Sequence, residues 1–477
     1  MESKASAKKA YILAGMQFGD EGKGSFVDYV ASTQNIKQAV RYNGGSQASH
    51  TVVTLQGLLH KFSQLSSAMF LDDCQTYITS NMVINPFNLE EEAKQFAAKT
   101  NQEPKSVLGK VVIDEICYIV TPYHKLINQM REICASDTRR GSVGTGVSEV
   151  RRILREQNTG VQIKDLRNQP LLSDKLNELY TYAKQFYDAN QEIVFQDIPD
   201  DISNNLKKGI SFLLQCGSVA HFCKEYQSLI KQNAFRLSQN ICVDINPEDG
   251  IVFEGAQGLL IDETHGFKPT TTILDTTITA ALNLCKQLGV DNIVKVGVAK
   301  AFMSRHGIGV FPTESAELNS TINDMNQESS YWNGAIRFGW FDTVLMRYAQ
   351  AVNDVDVIYL SSVDKLDYLA VLKICDSYQY FGETDDEFKS AFEFEMNGGH
   401  AVISNIKENT KNISRYLSQC IPVYTDLKGW ECETAQIRQV ASLPQNCSNY
   451  IAEIERLSNI KVSVISVGAT RDEKLVI

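Results

Sequence analysis

Short apolar runs bounded by glycine or polar residues recur along the chain at 11–14, 38–40, 52–55, 76–81, 111–114, 250–258, 294–299, 354–360 and 462–465. Runs of this length suit buried strands. Between them, apolar residues at helical spacing cover 90–99, 122–131, 176–189 and 209–232. The pattern predicts an α/β fold: a large, mainly parallel sheet flanked by helices, with ligands at the C-terminal ends of the strands. Residues 160–245 are mostly helical by pattern and carry no motif, so they read as a helical subdomain on the sheet. Residues 370–430 read as a small β/helix insertion. The small, polar, basic segment 1–9 reads as a disordered tail without the apolar core of a signal peptide, and 10–477 as a single domain.

Composition narrows the class. The 477 residues allow a large core, and 43% hydrophobic with 22% charged residues is ordinary for a soluble globular protein. A net charge of −11 argues against a nucleic-acid surface but leaves room for a local basic pocket that takes phosphates. No apolar run approaches the roughly 18 residues of a membrane span. The 11 cysteines include no C-x-x-C pair, which argues against a zinc ribbon or disulfide framework and for reduced thiols in the cytoplasm.

The densest chemistry follows the first apolar run. Gly19, Gly22 and Gly24 surround Lys23, and 25–30 opens a helix. Strand, glycine-rich turn, lysine and helix start make a phosphate cradle, because glycine lets backbone N–H groups approach an anion at the helix N-terminus. The spacing is not that of a Walker A loop, which needs glycine at Gln17 and a hydroxyl at Gly24. Asp20-Glu21 inside the cradle repel phosphate unless a carboxylate binds Mg²⁺ or takes a proton. The plainer alternative is an ordinary glycine turn with Asp20 capping the helix.

The string Gly19-Asp20-Glu21-Gly22-Lys23-Gly24, with Val27-Asp28, resembles the signature of adenylosuccinate synthetase. The likeness continues with gaps along nearly the whole chain: 41–51, ending in Ser49-His50-Thr51; the glycine-rich 141–147; Phe253-Glu254-Gly255-Ala256-Gln257-Gly258; 304–314; Gly339-Trp340 and Asp342; and Ser466-Val467-Gly468. That family makes adenylosuccinate from IMP and aspartate with GTP. The resemblance implies Asp20 as base, His50 as acid and Gln257 as a hydrogen-bonding partner of the nucleotide. It puts GTP on Gly19, Glu21, Gly22, Lys23, Gly24, Asp364, Ser466 and Gly468, and Mg²⁺ on Asp20 and the Ser49 carbonyl. The purine nucleotide falls to Asp20, Lys23, Gln47, Val143, Arg152, Gln257, Thr272 and His306, with Arg151 as an alternative to Arg152 in the arginine that reaches a partner subunit. A solvated helix face is the other reading of that arginine pair. The implied assembly is a homodimer.

The departures are specific. Ser46, Gln47 and Ser49 replace a histidine, an asparagine and a glycine, Val143 replaces a phosphate-binding threonine, and His306 replaces a valine near the nucleotide. Ser362 replaces a lysine beside the guanine-reading Asp364. In 333–338 only Arg337 survives of the run that holds aspartate. Three readings follow: a GTP- and Mg²⁺-dependent ligase making adenylosuccinate; a related enzyme with another 6-oxopurine nucleotide or acceptor; and a noncatalytic nucleotide-binding protein on the same scaffold.

Overall fold

The computed structural model describes residues 9–136, 140–233, 235–323, 331–408 and 413–477. Ten strands form the main sheet, numbered here in chain order: β1 Lys9–Gly15, β2 Gln38–Arg41, β3 Gln75–Ile78, β4 Val111–Asp114, β5 Arg236–Ser238, β6 Ile251–Gly258, β7 Asn292–Lys300, β8 Val357–Ser361, β9 Val462–Ser466 and β10 Lys474–Val476. Their spatial order is β10-β9-β8-β7-β1-β6-β2-β3-β4-β5. Every pairing is parallel except that of β9 with β10. A parallel sheet is covered on both faces, so its central strands are apolar on both. β1 shows this: Ala10, Ile12 and Ala14 join the cluster of Val40 and Phe253, while Tyr11 and Leu13 join that of Phe26 and Val30.

The helix α1, Lys23–Thr33, follows β1 directly. In the predicted helical subdomain, helices run over Gln169–Asn190, Asp200–Leu213 and Ser218–Gln232. The single helix expected over 209–232 is therefore two, because Gly217 takes a left-handed φ of 96° and breaks it. These helices share a core with Pro122–Cys134. The same region also contributes β5, so it is built into the edge of the sheet.

Residues 371–428 supply a second sheet in which Val371–Tyr380 pairs antiparallel with His400–Ile406 and Ile421–Lys428. The short strand Phe341–Asp342 joins it in parallel. The expected tail lies outside the described residues except for Lys9, which opens β1. No described helix is long and apolar enough to cross a membrane, and all eleven cysteines are free thiols.

Candidate active site

At the C-terminal end of β1 the chain turns through 16–22 into α1. The Glu21 carboxylate holds this turn from inside: Oε1 accepts the N–H groups of Gln17 (3.0 Å) and Gly19 (2.8 Å), and Oε2 meets Lys23 Nζ at 2.5 Å. Lys23 also donates to the Gly19 carbonyl at 2.7 Å. Glu21, expected among the GTP ligands, thus spends its side chain on the loop. The cap of α1 is Gly22, left-handed at φ 83° and without a side-chain cap. This removes the alternative in which Asp20 caps the helix, and it leaves the first N–H groups open to an anion. A second helix, Val147–Gln157, begins the same way, behind Gly146 at φ 92° and with no side-chain cap. Two open helix starts thus stand at the site.

Each lines its own cavity. The first, of about 350 Å³, is walled by Gln47, Val143, Val147, Arg152, Gln257, Thr272 and His306, among others. The second, of about 230 Å³, is walled by Gly22, Lys23, Gly24, Lys300, Asp364, Ser466 and Gly468 among others. Gly19, Asp20, Ser49 and His50 belong to both walls. The residues expected to bind a purine nucleotide and those expected to bind GTP line the first and second cavity accordingly, except for Lys23, which lines only the second, and Glu21, which lines neither.

Asp20 Oδ2 lies 3.2 Å from His306 Nε2. Burial alone would raise this carboxyl, but the His306 hydrogen bond and charge, then Lys300 and Lys23, overcome it and hold Asp20 at about 2. His50 Nδ1 sits 2.6 Å from Glu254 Oε1 on β6. Glu254 is fully buried, yet is drawn down to about 2: burial opposes ionisation, and Arg41, His50 and Ser67 outweigh it. It also accepts Ser66 Oγ (2.8 Å), Ser67 N–H (2.9 Å) and Ser67 Oγ (2.5 Å). An ionised carboxylate has no proton to give, so His50 Nδ1 carries the hydrogen and Nε2 is the atom left for chemistry. Burial, foremost, lowers the His50 pKa against the pull of Glu254.

Gln257, the penultimate residue of β6, takes a left-handed φ of 64°, and its buried Oε1 has no hydrogen-bond partner among the described residues. Gln47 Oε1 is in the same condition. Buried amide oxygens without donors are costly unless a ligand supplies them. Thr272 is positioned by its N–H on the Ile261 carbonyl (2.8 Å) within a loop that Asp262 organises through Thr264, His265 and Thr276. Arg152 lines its own chain's cavity with Nε on Glu149 at 3.2 Å, while Arg151 donates to the Asn81 carbonyl. Asp364 lies 3.6 Å from Lys365, and burial, foremost, raises its pKa. The Ser466 hydroxyl donates to the Gly468 carbonyl at 2.6 Å.

Arg337 departs from expectation. Its guanidinium donates to the carbonyls of Gly307 and Gly309, both at 2.8 Å, and to Glu314 at 2.6 Å, and it lines neither cavity. It fastens the 307–309 turn. Arg305, given no role from sequence, does line the first cavity; it is buried over the Phe18 ring and donates to Thr270 and Val310. Lys300, at the end of β7, lines the second. Glu254 was legible as a motif member but not as the partner of His50.

For a divalent cation, no group of three or more His, Cys, Asp or Glu is arranged to hold a metal among the described residues. The Asp20 carboxylate and Ser49 carbonyl, on the wall between the cavities, fit a hard cation that takes its remaining oxygens from phosphates and water, as Mg²⁺ does.

Comparison with known proteins agrees with this architecture. A family profile described as adenylosuccinate synthetase matches residues 12–475. Relatives carrying that name include one from a Synechocystis strain, 29% identical over 472 residues covering 98% of this chain and 94% of the relative. Another, from an Exiguobacterium strain, is 27% identical over 469 residues and 98% of both chains. Among solved structures, fully ligated adenylosuccinate synthetase from Plasmodium falciparum superposes with a TM-score of 0.76 at 20% identity, covering 98% of this chain and 99% of that one. Cyanophage S-2L succinoaminodeoxyadenylate synthetase, bound to dGMP and dATP, gives a TM-score of 0.52 at 14% identity, covering 98% and 95%. With a sequence match that runs from β1 into β10, the chain belongs to the adenylosuccinate synthetase family.

Proposed function

We propose that the protein is a GTP- and Mg²⁺-dependent ligase that joins an amine to C6 of a 6-oxopurine nucleotide, with IMP and aspartate as the favoured pair and adenylosuccinate as product. The observation that carries this reading is the shared wall. Asp20 and His50 stand between two cavities, each with an open helix N-terminus for phosphate.

The 6-oxopurine nucleotide occupies the first cavity, where the unpartnered Gln257 and Gln47 oxygens are acceptors for its hydroxyl groups. GTP occupies the second, with its phosphates at α1 and Lys23, and with Asp364 accepting the paired N–H groups of guanine. Asp20 is ionised at neutral pH and accepts the N1 proton. A carboxylate of such low pKa is a weak base, so the proton moves as O6 bonds to phosphorus and acidifies N1. O6 attacks the γ-phosphorus, the bond to the bridging oxygen breaks, and GDP leaves. Once protonated, His50 donates its Nε2–H to the transferring phosphoryl group while Glu254 holds Nδ1–H. Bound Mg²⁺ would neutralise phosphate charge from Asp20 and Ser49. The amine then adds at C6, the C6–O bond breaks to release phosphate with both electrons, and the nitrogen's surplus proton passes to the departing phosphate or to water. Positioning and fixed charge supply most of the acceleration.

A changed acceptor is the second reading, favoured by Arg337, whose donors are committed to Gly307, Gly309 and Glu314. The homodimer belongs to the proposal through the family likeness, and sedimentation tests it. For the reaction, phosphate release is measured with GTP and Mg²⁺ on IMP, GMP and dGMP, with and without aspartate, and products are identified by mass. Aspartate-dependent adenylosuccinate is the expected result. Phosphate or an adduct formed without aspartate favours the changed acceptor, and GTP binding with no turnover overturns the enzymatic reading.

A further inference from the structure

The loop that borders the second cavity closes over a buried cation that the reaction above leaves unused. Lys474, on β10, is 7% exposed, and its backbone pairs with Ser466 across the antiparallel edge of the sheet. Its Nζ donates to the carbonyls of Gly468 (3.0 Å) and Thr470 (2.9 Å). Ser466 Oγ converges on the same Gly468 carbonyl. Ser466, Gly468 and Ala469 are the loop residues that line the cavity. In a trans peptide the C=O and the next N–H point opposite ways, so drawing the Gly468 carbonyl onto the ammonium turns the Ala469 N–H away from it.

The loop is also fastened to the phosphate helix. Arg471 grips Asp28 of α1 through two bonds of 2.5 and 2.6 Å, and Ser25 Oγ donates to the Ala469 carbonyl at 3.1 Å. Glu473 accepts the Thr470 N–H and hydroxyl at 2.7 and 2.8 Å. Two carbonyls drawn to one point repel each other unless a donor stands between them, and Lys474 is that donor.

We infer that Lys474 is a positioning residue for the nucleoside triphosphate: its ammonium holds the 466–470 loop in the binding shape before the nucleotide arrives. The inference rests on the second cavity taking the triphosphate, as proposed above. Preorganisation of this kind acts on affinity and leaves the chemical step unchanged. Besides its carbonyl partners, the ammonium faces Glu473, Asp28 with its partner Arg471, Asp364 across the cavity, and the Phe26 ring at 5.7 Å. Burial, foremost, lowers Lys474 to about 8 against the three carboxylates. The charge is thus present at neutral pH and lost as pH rises past about 8.

The test compares wild type, Lys474→Met and Lys474→Arg by steady-state kinetics and by titration with a non-hydrolysable GTP analogue. In Lys474→Met, KM for GTP and the analogue Kd rise about tenfold, the size of a lost charge-assisted contact, while kcat and KM for the 6-oxopurine nucleotide stay within about twofold. Lys474→Arg retains most of the affinity. In wild type KM for GTP climbs above about pH 8, and Arg, which does not titrate there, flattens that climb. Should Lys474→Met fail to fold, these two pH profiles decide. Unchanged GTP affinity in a folded Lys474→Met, a loss confined to kcat, or identical pH profiles for wild type and Lys474→Arg overturns the inference alone. A wild type that binds no GTP analogue overturns the functional reading and this inference with it.

Discussion

Glu254 shows how a single buried carboxylate can govern a residue on the wall between two cavities. It has no exposure of its own, and its acceptor sites go to His50, Ser66 and Ser67. Replacing it with Gln keeps the shape but removes the charge and allows the amide nitrogen to face His50, which then loses its fixed tautomer. Phosphate-release kinetics should show kcat for Glu254→Gln down by about 10²-fold or more, the scale of general acid–base assistance, with KM for GTP little changed. Wild-type turnover in a folded Glu254→Gln would remove His50 orientation from the mechanism. Sequence carried half of this. The string 253–258 marked the site, but the partner of His50 lies 204 positions away on the main sheet, and only tertiary packing against the small hairpin that carries His50 brings them together. Arg337 is the converse: its residue type suggested a carboxylate ligand, yet the antiparallel pairing of Met303–His306 with Ile336–Gly339 sets it against the 307–309 turn, whose carbonyls consume its donors.

At the scale of elements, α1 tolerates almost no side-chain volume at its start. A Cβ on Gly24 would stand 2.7 Å from both His50 Cβ and Ser67 Oγ. Gly24→Ala must therefore push α1 off the strand that carries His50, at a cost of about 1–3 kcal/mol and most of the activity, read by denaturant unfolding and phosphate release. Helix Pro122–Cys134 depends on a proton instead. His124, read from sequence as a packing or capping residue, accepts the Thr121 N–H through Nδ1 at 3.1 Å in a capping box. The acceptor must be unprotonated, and burial lowers its pKa to about 3. The folded state then binds fewer protons than the unfolded chain between that value and the usual 6.5, so stability is full above pH 6.5 and falls as pH drops. At pH 5 the loss from this group is about 2 kcal/mol. His124→Gln, an acceptor that does not titrate, should shrink the difference in unfolding free energy between pH 7 and pH 5 by that amount; an unchanged difference would rule out the box as its source. Elements of this kind were legible because their signals are local: apolar runs, proline at a helix start, glycine past its end. The break at Gly217 was missed because apolar spacing continues across it.

For the whole molecule, the question is whether two nucleotide sites sharing one wall are catalytic or merely adjacent. Without a cation, an ionised Asp20 repels the phosphates on either side, although His306, Lys300 and Lys23 hold its charge. An enzyme needs that charge when the proton leaves N1. The two cases separate in Asp20→Asn, which keeps the size and removes the charge. If the site is catalytic, Asp20→Asn abolishes phosphate release while GTP and the 6-oxopurine nucleotide each still raise the melting temperature, because ligand bound to the native state stabilises it whether or not it reacts. Saturation at about 100 times Kd contributes about 2.7 kcal/mol per ligand, which a thermal-shift titration resolves. If the site only binds, neither wild type nor variant releases phosphate, and Asp20→Asn holds its nucleotides more tightly because the repulsion is gone. The two hypotheses therefore separate on whether wild type releases phosphate that Asp20→Asn does not, and the comparison does not depend on knowing which amine completes the reaction.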